Sequence, residues 1–129
     1  MADRVRGITI EIGGDTSSLS KALSGINGDL KSTQTQLRDV ERLLKLDPRN
    51  IRLLEQQQRL LAQSITNTSQ KLEVLKNAEA QVQQKFQEGK VSQEQYDALA
   101  REIVYTENAL KKLNSRADEN ADMMKHVND

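Results

Sequence analysis

Apolar residues follow two patterns along the chain, and the first is short. Ile8, Ile10 and Ile12 alternate with Thr9 and Glu11, the period-two spacing of a half-buried strand. Gly13-Gly14 then turns the chain. A lone strand of this length is not stable in water, and no second strand pattern is evident. The expectation is pairing with another chain or loose packing, not an internal sheet.

The second pattern fills the rest of the sequence. Asp15 or Thr16 is placed to cap a helix by accepting from free amides of its first turn. Leu19, Leu23, Ile26, Leu30, Thr33, Leu37, Val40 and Leu44 then recur at steps of four and three, a heptad seam over residues 16–46. Gly25 and Gly28 interrupt it, each costing up to about 1 kcal/mol relative to alanine. At Leu46-Asp47-Pro48-Arg49-Asn50-Ile51 the residue before proline disfavours helix. Asp47 suits an N-cap, Pro48 the first helical position, and Leu46 a staple onto Ile51.

A second helix is predicted over 48–88, with the seam Ile51, Leu54, Gln58, Leu61, Ile65, Thr68, Leu72, Leu75, Glu79, Val82 and Phe86. Some 40 residues at about 1.5 Å each would make a rod of about 60 Å. Gly89 is a left-handed C-cap. Ser92 and Gln95 then form a capping box, with Val91 and Tyr96 as its staple. A third helix over 93–116 carries Tyr96, Leu99, Ile103, Thr106, Leu110, Leu113 and Ala117. The polar stretch after Arg116 is expected to fray, leaving 117–129 as a disordered tail.

These readings define an all-α fold preceded by a short N-terminal β-strand. Residues 1–14 form the strand and turn, and 15–116 form a coiled-coil region. Short turns make neighbouring helices antiparallel. That sets Val40 near Leu54, Leu37 near Gln58, Leu30 near Ile65, Val82 near Leu99 and Leu72 near Leu110. The result is a slim three-helix bundle, or an extended arrangement that shares its seams with other copies.

Composition fits a thin core. Of 129 residues, 36% are hydrophobic and 2% aromatic, against 29% charged. Nineteen basic and nineteen acidic side chains give a formal charge of zero. That lacks the basic excess with which nucleic-acid binders displace counterions, so no direct sequence-specific nucleic-acid binding is expected. With no cysteine, disulfides and thiol-ligated zinc are excluded. The sequence holds no signal-peptide pattern and no membrane span, so a soluble, cytosolic chain is expected.

No catalytic constellation emerges. His126, the only histidine, lies in the expected tail without a partner for a metal. Ser17, Ser18, Ser20 and Ser24 have no base and read as capping residues. Gly13-Gly14-Asp15 lacks the lysine and spacing of a phosphate loop. Carboxylates such as Glu41 and Glu102 sit on mixed-charge faces. No enzyme activity, cofactor or metal is expected. The densest apolar patch runs through Leu43, Leu44, Leu46, Ile51, Leu53, Leu54, Leu60 and Leu61, more than one seam can use, so part of it should meet a third helix or another subunit.

Three strings carry a resemblance. Gly7-Ile8-Thr9-Ile10-Glu11-Ile12-Gly13-Gly14-Asp15 resembles the opening of tail tape measure proteins of long-tailed bacteriophages and prophages of Gram-positive hosts. The run from Leu37 to Asn50, with its Leu-Asp-Pro turn, resembles the same family, as does Gly89 to Tyr96. The likeness covers roughly residues 4 to 113. It implies a long helical protein that occupies the tail lumen, sets the length of the tube polymerising around it, and is ejected ahead of the genome. Self-association and contacts with tail-tube, tail-completion or tail-assembly chaperone proteins are implied. So is residence in the host bacterial cytoplasm during assembly, then in the tail interior. Tape measure proteins are usually several times longer, so the chain would be an N-terminal segment or a truncated prophage product. Self-association through the seams implies elongated oligomers that Asp at Leu61 and Leu72 would abolish. The alternative is a monomeric helical-bundle adaptor that takes one partner helix near Leu46 and Leu60.

Overall fold

The structure, a computed structural model, describes residues 5–127. It is 81% helical, with three helices behind a short two-stranded antiparallel sheet. Strands β1 (Thr9–Ile12) and β2 (Asp15–Ser18) lead into α1 (Leu19–Leu46), α2 (Ile51–Gln87) and α3 (Gln93–Val127). The outer helices α1 and α3 both pack on α2, antiparallel to it.

The first strand does have a partner within the chain, contrary to expectation. Asp15 and Thr16 are not helix caps; they continue into β2, with Ile10 facing Ser17 and Ile12 facing Asp15. Gly13 and Gly14 take φ of 58° and 87°. Positive φ at both central residues of a two-residue loop is the mirror-image turn whose twist suits a hairpin. The polar string Asp-Thr-Ser-Ser hid β2 because none of its side chains needs burial. Ile8 and Ile10 are buried, whereas Ile12 at the hairpin tip is 52% exposed.

Side chains of the helices satisfy the hairpin's second edge. The Glu11 N–H donates to Gln81 Oε1 at 2.7 Å, and Gln81 Nε2 donates to the Glu11 carbonyl at 3.0 Å. Lys85 Nζ donates to the Thr9 carbonyl, and Gln95 Nε2 to that of Gly7. A two-stranded sheet marginal on its own is thus held on the bundle by burial of Ile8 and Ile10 and by paired backbone groups.

The helix ends follow local chemistry, with shifts from the expected positions. Ser18 caps α1, its Oγ accepting from the Lys21 N–H. Asp47 closes α1 instead of opening α2, its N–H donating to the Leu43 carbonyl at 3.0 Å. Asn50 is the cap of α2: Oδ1 accepts from the Leu53 N–H, and Nδ2 donates to Asp47 Oδ2. Pro48 lies in the turn between them, closed by the Asn50 N–H on the Asp47 carbonyl. Leu46 is 82% exposed and does not act as a staple.

At the next turn, Gly89 has φ 75°. Its N–H donates to the Phe86 carbonyl and that of Lys90 to Lys85, the two bonds of a left-handed helix stop. Ser92 and Gln95 form the expected capping box, with reciprocal bonds of 3.0 and 3.1 Å. Phe86 and Tyr96 meet edge-to-face across this turn, centroids 4.9 Å apart. The expected frayed tail is instead helix through Val127. Asn120, Met124 and Val127 prolong the seam beyond Ala117, and Asn120 is buried. Asn128 and Asp129 of the expected tail, and residues 1–4, lie outside the described residues.

The core is split. Near the hairpin, Val5, Ile8, Ile10, Leu19, Leu23, Leu75, Ala78, Val82, Leu99 and Ile103 form one cluster. Near the Pro48 turn, Leu37, Val40, Leu60 and Leu61 form another, backed by Leu44, Leu53, Leu113 and Ala117. Between them lies a polar waist of buried Thr33, Ser64, Thr68, Glu102 and Thr106.

Candidate functional site

Heptad spacing places hydroxyl side chains at the waist, and there α1 and α3 stand apart over α2. They leave a groove of about 330 Å³. Leu30, Gln34 and Leu37 line it from α1; Ser64, Thr68 and Lys71 form its floor; residues from Glu102 to Arg116 line it from α3. Two threonines near it bond back to their own helices, Thr106 to the Glu102 carbonyl at 2.8 Å and Thr33 to that of Asp29 at 2.9 Å. Ser64 Oγ is buried with no hydrogen-bond partner among the described residues. Glu102, expected on a solvated face, is buried and lies 3.0 Å from Lys71 Nζ.

A second polar network closes the groove toward the Pro48 turn. The Arg116 guanidinium bonds the Glu41 carboxylate, which also accepts from Gln57 Nε2 at 3.2 Å. Asn120 Nδ2 donates to Gln57 Oε1 at 2.8 Å and to the Leu54 carbonyl at 3.0 Å. One side chain from α1, one from α2 and two from α3 thus fix how the three helices lie together at this end.

The predicted seam residues come together as a seam. Leu19, Leu23, Leu37, Val40, Leu54, Leu61, Leu75, Val82, Leu99 and Ile103 are buried. Ile26, Leu30, Leu44, Ile51, Ile65, Leu72, Phe86, Tyr96, Leu110 and Leu113 are half-buried. Gln58 is the exception: it is exposed, Gln57 faces inward in its stead, and Leu37 clusters with Leu60 and Leu61. Most of the dense apolar patch is core, leaving Leu43 and Leu46 exposed on α1. Because Leu61 is fully buried within the chain, an aspartate there would break the subunit and could not report on self-association alone.

Sequence reading missed Ser64, Ala78 and Asn120 as interior positions, and Lys71–Glu102 as a pair. Asn120 had a signal, since it falls on the heptad after Ala117. Among the described residues no group of three or more histidine, cysteine or carboxylate side chains could hold a metal ion. His126 Nδ1 instead bonds the Asp122 carbonyl at 2.7 Å. No helix of the described residues is long and apolar enough to cross a membrane.

The groove presents hydroxyls, paired charges and a few leucines. Comparison with known protein families, with curated proteins and with solved structures gave no match.

Proposed function

We propose that the chain is a structural component of a phage or prophage tail: the N-terminal segment of a tape measure protein. The observation that carries this reading is the resemblance of Gly7–Asp15 and of Leu37–Asn50 to that family. Its role would be mechanical, with no catalysis asked of it. A helix turns residue count into distance at about 1.5 Å per residue, so the 37 residues of α2 span about 55 Å. Self-association, contacts with tail-tube and tail-completion proteins, and passage from the host cytoplasm into the tail belong to the same proposal. In-frame removal of helical heptads from the phage gene tests it by electron microscopy. Tails should shorten in proportion; tails of unchanged length would refute the reading.

The second reading is a monomeric three-helix adaptor for one partner helix. The groove between α1 and α3 favours it, with Leu43 and Leu46 exposed nearer the Pro48 turn. A reading frame ending soon after Asp129 would move it ahead; hundreds of further helical residues would move it back.

A further inference from the structure

We propose that the groove is a self-docking surface, in which α3 of a second copy lies antiparallel about a two-fold axis beside Ala109. This rests on the self-associating reading above, to which it gives a surface and a register.

The groove positions of α3 are symmetric about Ala109. Thr106 and Lys112 lie three residues to either side, Tyr105 and Leu113 four, Glu102 and Arg116 seven. Any heptad face has such centres, so the side chains they pair decide between them. Centred on Ala109, Glu102 meets the second copy's Arg116, and Tyr105 meets its Leu113. Centred on Glu102, Lys112 or Arg116, identical charges would face each other, and like-charge contacts oppose association.

The charges are already arranged for this register. Glu102 is held by Lys71, and Arg116 by Glu41. Docking lines up Lys71, Glu102, the second copy's Arg116 and its Glu41 with alternating sign, twice by symmetry. Tyr105, 56% exposed in the single chain, is covered. Ala109, the smallest groove side chain of α3, sits where the helices cross and lets them approach. Each α3 is both wall and occupant, as a self-complementary two-fold contact requires. The stretch from Glu102 to Arg116 rises about 21 Å, so the contact covers the waist.

The chain has no cysteine, so Ala109→Cys places a single thiol at the axis. Ser115→Cys, exposed and off the groove, is the control. Under mild oxidation Ala109→Cys should become mostly covalent dimer and Ser115→Cys mostly monomer. Ala109→Glu should sediment as a monomer with an unchanged far-ultraviolet circular dichroism spectrum. If wild type associates but Ala109→Glu keeps its mass and Ala109→Cys links no faster than the control, the groove is the wrong surface and self-association stands. If wild type is monomeric at every concentration, both fail.

Discussion

Asn120 donates its side-chain amide to the backbone carbonyl of Leu54, 3.0 Å away across 66 residues of sequence. The bond fastens the far end of α3 to the start of α2, where a frayed tail had been expected. Its Oδ1 is buried without a partner among the described residues. Replacing Asn120 with aspartate sets an acceptor-only group against that carbonyl and should cost about 2–3 kcal/mol. Leucine removes the unpaired oxygen together with the donor, so its net effect should stay within about 1 kcal/mol. Urea unfolding of the two variants checks this; equal losses would mean that packing, not hydrogen bonding, holds α3 there.

The pair Lys71–Glu102 gives a double-mutant cycle. Their side chains are 16% and 10% exposed. Lys71→Met removes the ammonium beside the buried Glu102 carboxylate and should cost about 3 kcal/mol. Adding Glu102→Leu should recover most of that loss, because an apolar pair of similar volume needs no ionic partner. Denaturation midpoints of Lys71→Met, Glu102→Leu and the double variant decide; additive losses would show that the charges do not act as a pair.

Gln81 carries the hairpin. Its amide both accepts from and donates to the Glu11 backbone, standing in for a third strand. Gln81→Ala should raise hydrogen exchange at the Glu11 amide about tenfold while lowering global stability by only about 1 kcal/mol. Unchanged exchange would mean that burial of Ile8 and Ile10 alone holds the hairpin.

Gly28 lies inside α1, and a Cβ added there would meet nothing within 4 Å. Gly28→Ala should therefore stabilise the chain by about 0.5–1 kcal/mol through lower unfolded-state entropy. Thermal unfolding reads it; a loss would reveal close packing on that face.

What the sequence made legible was periodicity. The two turns, the three helices and twenty seam leucines, isoleucines, valines and aromatics were readable because burial repeats at helical spacing. The β2 strand was not, since Asp15–Ser18 carries no apolar alternation and is defined by backbone pairing alone. The cap of α2 falls on Asn50 and not on Asp47, because both residue types cap helices and only the geometry of the Pro48 turn decides between them. The end of α3 was misjudged on polar composition, although Asn120, Met124 and Val127 keep the seam's spacing. The groove was invisible for a different reason: Lys71 and Glu102 lie on different helices, 31 positions apart, and only helix packing brings them together.

The proposal that this chain is a self-associating structural element is read out by light scattering joined to small-angle X-ray scattering. An elongated dimer or larger assembly of the full chain is the expected result. A compact monomer at all concentrations would contradict it and put the adaptor reading first.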